Sequence, residues 1–181
     1  MRKLIATTFI TLDGDVSAPE RWSGPYWDEE HAHHARELLF SADTLLLGRK
    51  TYEGFAEVWP GMEESGGDYA VRMNALPKYV ASRTLTGTTW NSTLIKGDVA
   101  EAVTELKSRP GENIVKYGIG GELDRVLLEH KLVDEYQFWM FPVIAGSGEG
   151  RVLDGVSTAH LLLKSATPLT SGIVLLTYTP K

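Results

Sequence analysis

The sequence predicts a single α/β domain spanning 1–181: a mixed, mostly parallel sheet flanked by helices, with an antiparallel edge at its C-terminal end. Three observations lead there. Short apolar runs alternate with segments of helical periodicity along the whole chain. Thr44-Leu45-Leu46-Leu47 is apolar throughout, as a strand buried on both faces of a parallel sheet is. The last two runs, 158–165 and 172–179, are joined by a link too short for a crossover, so they pair antiparallel.

The elements follow in order. A first strand covers residues 3–12. Its basic, then apolar start resembles an export signal, but three Thr interrupt it and Asp13-Gly14-Asp15 follows where small residues should lie. After an irregular stretch with Pro19, Gly24 and Pro25, Asp28 caps a helix that runs to residue 40, with Ala32, Ala35, Leu38 and Leu39 on one face. The buried strand at 44–47 runs into Gly48-Arg49-Lys50 and a short helix carrying Tyr52, Phe55 and Val58. Residues 60–67, with three Gly and one Pro, read as a loop. Strands are expected at 78–82 and near 89–95. Asp98 caps a helix with Val99, Ala102, Val103 and Leu106 inward, stopped by Pro110-Gly111. A strand at 113–117 meets Gly118-Ile119-Gly120-Gly121, which opens a helix with Leu123, Val126, Leu127 and Leu128. Glu135–Phe141 is a strand and 142–150 a Gly-rich loop.

Composition bounds the function. The 181 residues are 43% hydrophobic and 23% charged, the usage of a folded domain. With 18 Lys+Arg against 24 Asp+Glu the net charge is −6, which argues against nucleic acid or an anionic membrane as a partner. No apolar run approaches the length of a membrane span. Cysteine is absent, which excludes disulfides, thiolate metal sites and a Cys nucleophile, and suits a cytoplasmic protein.

Three segments share one pattern, a buried strand followed by a turn rich in Gly or Arg: Leu47-Gly48-Arg49-Lys50-Thr51, Ala81-Ser82-Arg83-Thr84 and Tyr117-Gly118-Ile119-Gly120-Gly121. Ligands of parallel sheets bind at the carboxyl ends of strands. Helix N-termini there offer free amides and partial positive charge, glycine lets a diphosphate approach the backbone, and arginine binds phosphate through two parallel hydrogen bonds. Together these describe a cleft for a phosphorylated cofactor. The Gly run lacks the full G-x-G-x-x-G spacing and the Lys-Ser/Thr of a P-loop, so nucleotide hydrolysis is not indicated. Neither G-x-S-x-G nor H-x-E with P-C-x-x-C occurs, which removes a hydrolase elbow at Ser147 and a zinc deaminase. Of His31, His33 and His34, only His31 and His34 share a helix face, with no third metal ligand beside them, and the group reads as an exposed helix face. Asp13, at the end of the first strand, is either a turn residue or the acid on the substrate side. Asp28, Glu29 and Glu30 are either helix-start charges or substrate acids, and Trp22, Tyr26 and Trp27 either a substrate wall or packing anchors.

Thr11-Leu12-Asp13-Gly14, Leu46-Leu47-Gly48-Arg49-Lys50-Thr51-Tyr52-Glu53, Lys78-Tyr79-Val80-Ala81-Ser82-Arg83-Thr84-Leu85, Leu127-Leu128-Glu129-His130-Lys131-Leu132-Val133-Asp134-Glu135 and Pro142-Val143-Ile144-Ala145-Gly146-Ser147-Gly148 occur in this order. They resemble the landmark segments of the dihydrofolate-reductase-like superfamily, in particular its branch typified by the C-terminal reductase domain of the bifunctional riboflavin-biosynthesis deaminase/reductase. The resemblance spans almost the whole chain, and Gly-Arg-Lys-Thr-Tyr-Glu is its most specific piece. It implies an NADPH-dependent reductase of a small pterin- or aminopyrimidine-like heterocycle. Gly48, Arg49 and Thr51 would hold the cofactor's diphosphate or 2′-phosphate region, Ser82 and Arg83 the 2′-phosphate, and Gly118, Gly120 and Gly121 the diphosphate. Ile119 interrupts the run of small residues that the family carries there. Asp13 would serve catalysis and Trp27 and Asp28 would bind substrate. The alternatives are a genuine dihydrofolate reductase and a regulatory module that binds NADP without turnover. The branch also implies a homodimer, and the two apolar faces of Glu135–Phe141 make that strand the expected participant.

Overall fold

The computed structural model describes residues 1–146, 153, 156 and 158–181. Eight strands form one sheet: β1 (Leu4–Thr11), β2 (Ala42–Gly48), β3 (Lys78–Ala81), β4 (Ser92–Leu94), β5 (Asn113–Tyr117), β6 (Glu135–Phe141), β7 (Leu161–Pro168) and β8 (Val174–Pro180). Their order is β4-β3-β2-β5-β1-β6-β8-β7. Every pairing from β4 to β6 is parallel, and β6–β8 and β8–β7 are antiparallel. The mixed sheet with an antiparallel C-terminal edge is therefore as the apolar runs predict.

Five α-helices join the strands: α1 (Glu29–Phe40), α2 (Arg49–Val58), α3 (Glu63–Ala75), α4 (Val99–Ser108) and α5 (Glu122–Glu129). Side chains alternate across the central strands and feed two separate cores. On one face Leu4, Ala6, Leu46 and Ile114 pack with Val103 and Leu106 of α4 and Leu123 and Leu127 of α5. On the other Ile5, Leu45, Leu47 and Val115 pack with Leu38 and Leu39 of α1, Tyr52 of α2 and Met73 of α3. That two-sided burial is why β2 carries leucine on both of its faces. The N-caps are as read: Asp28 accepts from His31 N–H at 2.7 Å and Asp98 from Glu101 N–H at 2.8 Å.

The loop expected at 60–67 is a correction. Helix α3 begins at Glu63 and passes through Gly67, whose φ of 57° and ψ of −147° break it into two helical pieces. The Gly66-Gly67 pair thus separates a short helical turn starting at Glu63 from the longer helical piece that follows. Beyond it Ala70 and Met73 are buried and Tyr69 lies against the same core, a helical spacing that the glycines obscured. The strand expected near 89–95 is only Ser92–Leu94, and the closing strands begin two to three residues later than the apolar runs alone indicate. The Gly-rich loop is described as far as Gly146; Ser147 and Gly148 lie outside the described residues.

Candidate functional site

Adjacent order in the sheet brings the three Gly- and Arg-bearing turns together, because β3, β2 and β5 are parallel neighbours ending at the same edge. Gly48 is the N-cap of α2 and supplies no side-chain cap to it; a Cβ built on Gly48 would meet nothing within 4 Å. The first amides of α2 thus start at an open space. The β5 turn packs on that helix start: Gly118 has φ +75°, and a Cβ there would lie 2.9 Å from Thr51 Oγ1. Only glycine adopts this φ without strain and leaves Thr51 its place.

Two guanidinium groups frame the opening. Arg49 leans on Glu53 at 3.7 Å, and Arg83, 84% exposed, reaches from the β3 turn to Glu122 in the first turn of α5 at 3.9 Å. Both are long, solvent-screened contacts that a phosphate would outcompete. Ser82 is partly committed, since its hydroxyl accepts from Thr84 N–H at 3.2 Å and Leu85 N–H at 3.1 Å. Ile119 turns away from the opening into the core beside Leu123, so it leaves the turn's shape intact. The amides of Gly120 and Gly121 are different: both donate to Asp124 Oδ2, at 3.0 Å each. Open amides at α2, two exposed cations and glycine at the close approach form a donor set that fits a phosphorylated ligand; the Gly120–Gly121 amides are already paired.

The other predicted residues lie at the carboxyl ends of β1 and β6. Asp13 joins two loops. Its carboxylate accepts from Thr11 Oγ1 at 2.6 Å, Ala145 N–H at 3.0 Å and Gly146 N–H at 2.8 Å. The Thr11 hydroxyl, then the two amides, hold its pKa down to about 2, so it is a carboxylate at neutral pH and has no proton to give. Asp28 spends one oxygen on the α1 cap. Glu30 accepts from Thr170 N–H and Oγ1, both at 2.7 Å, which ties α1 to the β7–β8 turn. Trp27, 60% exposed, lies parallel to the His31 ring with centroids 5.9 Å apart.

Three residues, one at this end and two beneath the β5 turn, escape the sequence reading. His31 is buried, not exposed: it sits against Phe9, Trp139 and Phe141, and its Nε2 has no hydrogen-bond partner among the described residues. Burial lowers its pKa. The signal was its spacing, one turn before Ala35 and two before Leu38 on the apolar face of α1. His33 and His34 do lie on the outer side, 3.4 and 3.2 Å from Glu37. Lys116 and Asp124 form a buried ion pair beneath the glycine turn. The signals were a lone charge inside an apolar strand and an acid three residues after the N-cap Gly121.

The RibD C-terminal domain family matches residues 2–175. The uncharacterized protein YyaP of Bacillus subtilis (strain 168) is 26% identical over 179 residues, 98% of this chain and 94% of its own. A putative riboflavin biosynthesis protein from Shewanella sp. PV-4 superposes with a TM-score of 0.77 at 20% identity, covering 99% of both chains. The Thermotoga maritima diaminohydroxyphosphoribosylaminopyrimidine deaminase/5-amino-6-(5-phosphoribosylamino)uracil reductase superposes with a TM-score of 0.68 at 14% identity; this chain spans 57% of that longer protein. The order of strands, the glycine and arginine turns on one sheet edge and a match over nearly the whole length agree with one another: this chain belongs to the RibD C-terminal domain family and has a pyrimidine-reductase-like fold.

Proposed function

We propose that this protein is an NADPH-dependent reductase of a small planar heterocycle, pterin- or aminopyrimidine-like. The observation that carries the reading is the meeting of the β2, β3 and β5 turns, with open α2 amides between two exposed arginines. Bound there, the cofactor would supply a hydride. The chain's own part is to bind and orient. Gly48, Thr51 and the α2 amides receive phosphate oxygens, Arg49 and Arg83 neutralise them, and Ser82 and Arg83 face the 2′-phosphate that separates NADPH from NADH. Gly118 keeps the β5 turn tight against α2. On the substrate side Trp27 and the first turn of α1 form an aromatic wall. Asp13, ionised and clamped between two loops, shapes that end and does not donate a proton.

A dihydrofolate reductase needs a free carboxylate on the first helix. Of the three acids there, Asp28 spends one oxygen on the helix cap and Glu30 is held by Thr170, while Glu29 is exposed, an arrangement that favours a different heterocycle. The test is cofactor fluorescence with NADPH and NADH, followed by addition of dihydrofolate or an aminopyrimidine substrate. Tight NADPH binding with oxidation by the aminopyrimidine alone is expected. Binding without oxidation by either would leave the regulatory module, and no binding would end the cofactor reading.

The reading extends to a homodimer through the antiparallel end of the sheet. α1 and the aromatic cluster cover one face of β6, while Phe138 and Met140 on the other are only half-buried. On the outer strand β7, Leu163 lies beside Tyr178 on that same face and is more than half exposed. Covering such a patch takes a partner of about 800 Å² per subunit. Light scattering at micromolar protein should give twice the chain mass; a monomer mass throughout would refute the dimer.

A further inference from the structure

Two consecutive amides converging on one point at the start of a helix make a nest for an anion. Gly120 and Gly121 form such a nest, and it holds an anion of the chain's own. Asp124 Oδ2 takes both amides at 3.0 Å. Asp124 Oδ1 takes the ammonium of Lys116, which also donates to Gly118 O. Both side chains are almost wholly buried, while Gly120 and Gly121 themselves lie at the surface. Lys116 rises from β5 beneath the positive end of α5, where a cation is disfavoured unless a carboxylate stands between.

We propose that Asp124 is an internal substitute for a ligand phosphate, and that Lys116 and Asp124 are positioning residues which hold the glycine turn against α2 while keeping its amides out of cofactor binding. The inference rests on the reductase reading for its ligand and departs from what the family resemblance implies for Gly120 and Gly121. A diphosphate could use those amides only by expelling Asp124, which would leave a carboxylate and an ammonium buried apart and set the carboxylate beside an incoming anion. The α2 amides and the two arginines ask for no such exchange.

The test combines a crystal structure of the NADPH complex with affinities of wild type, Asp124→Asn and the double variant Lys116→Met/Asp124→Ala for NADPH, NADH and inorganic pyrophosphate. In the complex, Gly120 and Gly121 should still donate to Asp124. The double variant empties the nest without stranding a charge, and should bind all three probes more tightly by a common factor of about tenfold. Asp124→Asn keeps an oxygen in the nest and should change affinity by less than about twofold. A phosphate oxygen on either amide in the wild-type complex overturns the inference while leaving the reductase reading intact; unchanged affinity in a folded double variant overturns it too. If wild type binds none of the probes, the reductase reading fails, and amide chemical shifts decide the rest. Gly120 and Gly121 signals that respond to pyrophosphate only in the double variant would uphold the substitution, and silence in both proteins would end it.

Discussion

Asp13 and Asp124 each accept a pair of backbone amides from a glycine-bearing turn at the carboxyl edge of the sheet, yet their surroundings are opposite. Asp13 is exposed and adds a Thr11 hydroxyl to the amides of Ala145 and Gly146. Asp124 is buried and adds the ammonium of Lys116 to the amides of Gly120 and Gly121. Water competes for every contact of the first set, but in the second the ion pair is buried and only the amide contacts of the surface glycines are partly open to it. The same local chemistry therefore gives a solvent-facing clamp between the β1 and β6 loops and a buried element beneath the glycine turn after β5.

The sharpest way to break this contrast is to remove one buried partner. Lys116→Met or Asp124→Ala alone should cost about 3–5 kcal/mol, because each leaves an uncompensated buried charge, and the double variant should recover most of that loss. Urea unfolding measures it; a cost under about 1 kcal/mol for both single variants would put the pair on a par with a surface contact. Next in size is Arg83→Ala, at the exposed rim of the same turn. It should weaken NADPH on the order of tenfold and leave NADH nearly unchanged, about 1.4 kcal/mol. Equal losses for both cofactors would remove Arg83 from the 2′-phosphate role.

On the substrate side the effects are smaller and more local. His31 has its pKa lowered below 6.5, first by burial and further by His34, with Asp28 opposing. Below that value the unfolded chain binds a proton that the native ring resists, so acidification through it costs stability. His31→Phe, of similar shape, should flatten the loss of melting temperature between about pH 7 and pH 5; an unchanged slope would show that the ring does not titrate against folding. Asp13→Asn should leave global unfolding and NADPH affinity within about twofold of wild type, speed amide exchange at Ala145 and Gly146, and lower turnover. Because Asp13 stays ionised down to about pH 2, wild type should show no turnover limb from it near neutrality. Full turnover and unaltered exchange in Asp13→Asn would reduce it to a bystander.

The fold was legible because its signals are local and repeated. Leucines on both faces of β2, the Asp28 and Asp98 caps and the late hairpin each announce themselves within a few residues. Helix α3 was not, since Gly66-Gly67 looks like the end of all helix there, whereas a second helical piece resumes after Gly67 and packs on α1 and the core. The three Gly- and Arg-bearing turns were readable one by one as Gly and Arg after a strand. That they meet depends on β3, β2 and β5 being neighbours, a pairing of segments far apart in sequence, such as Leu45 with Lys78 and Leu46 with Lys116. The fate of the carboxylates lay further from view. Asp13, Asp28 and Asp124 are the same residue type near strand or helix ends, and composition cannot tell a clamp from a cap or a buried counter-ion. What separates them is which amides, which cation and how much water surround each oxygen, and those are fixed only when distant segments close around it.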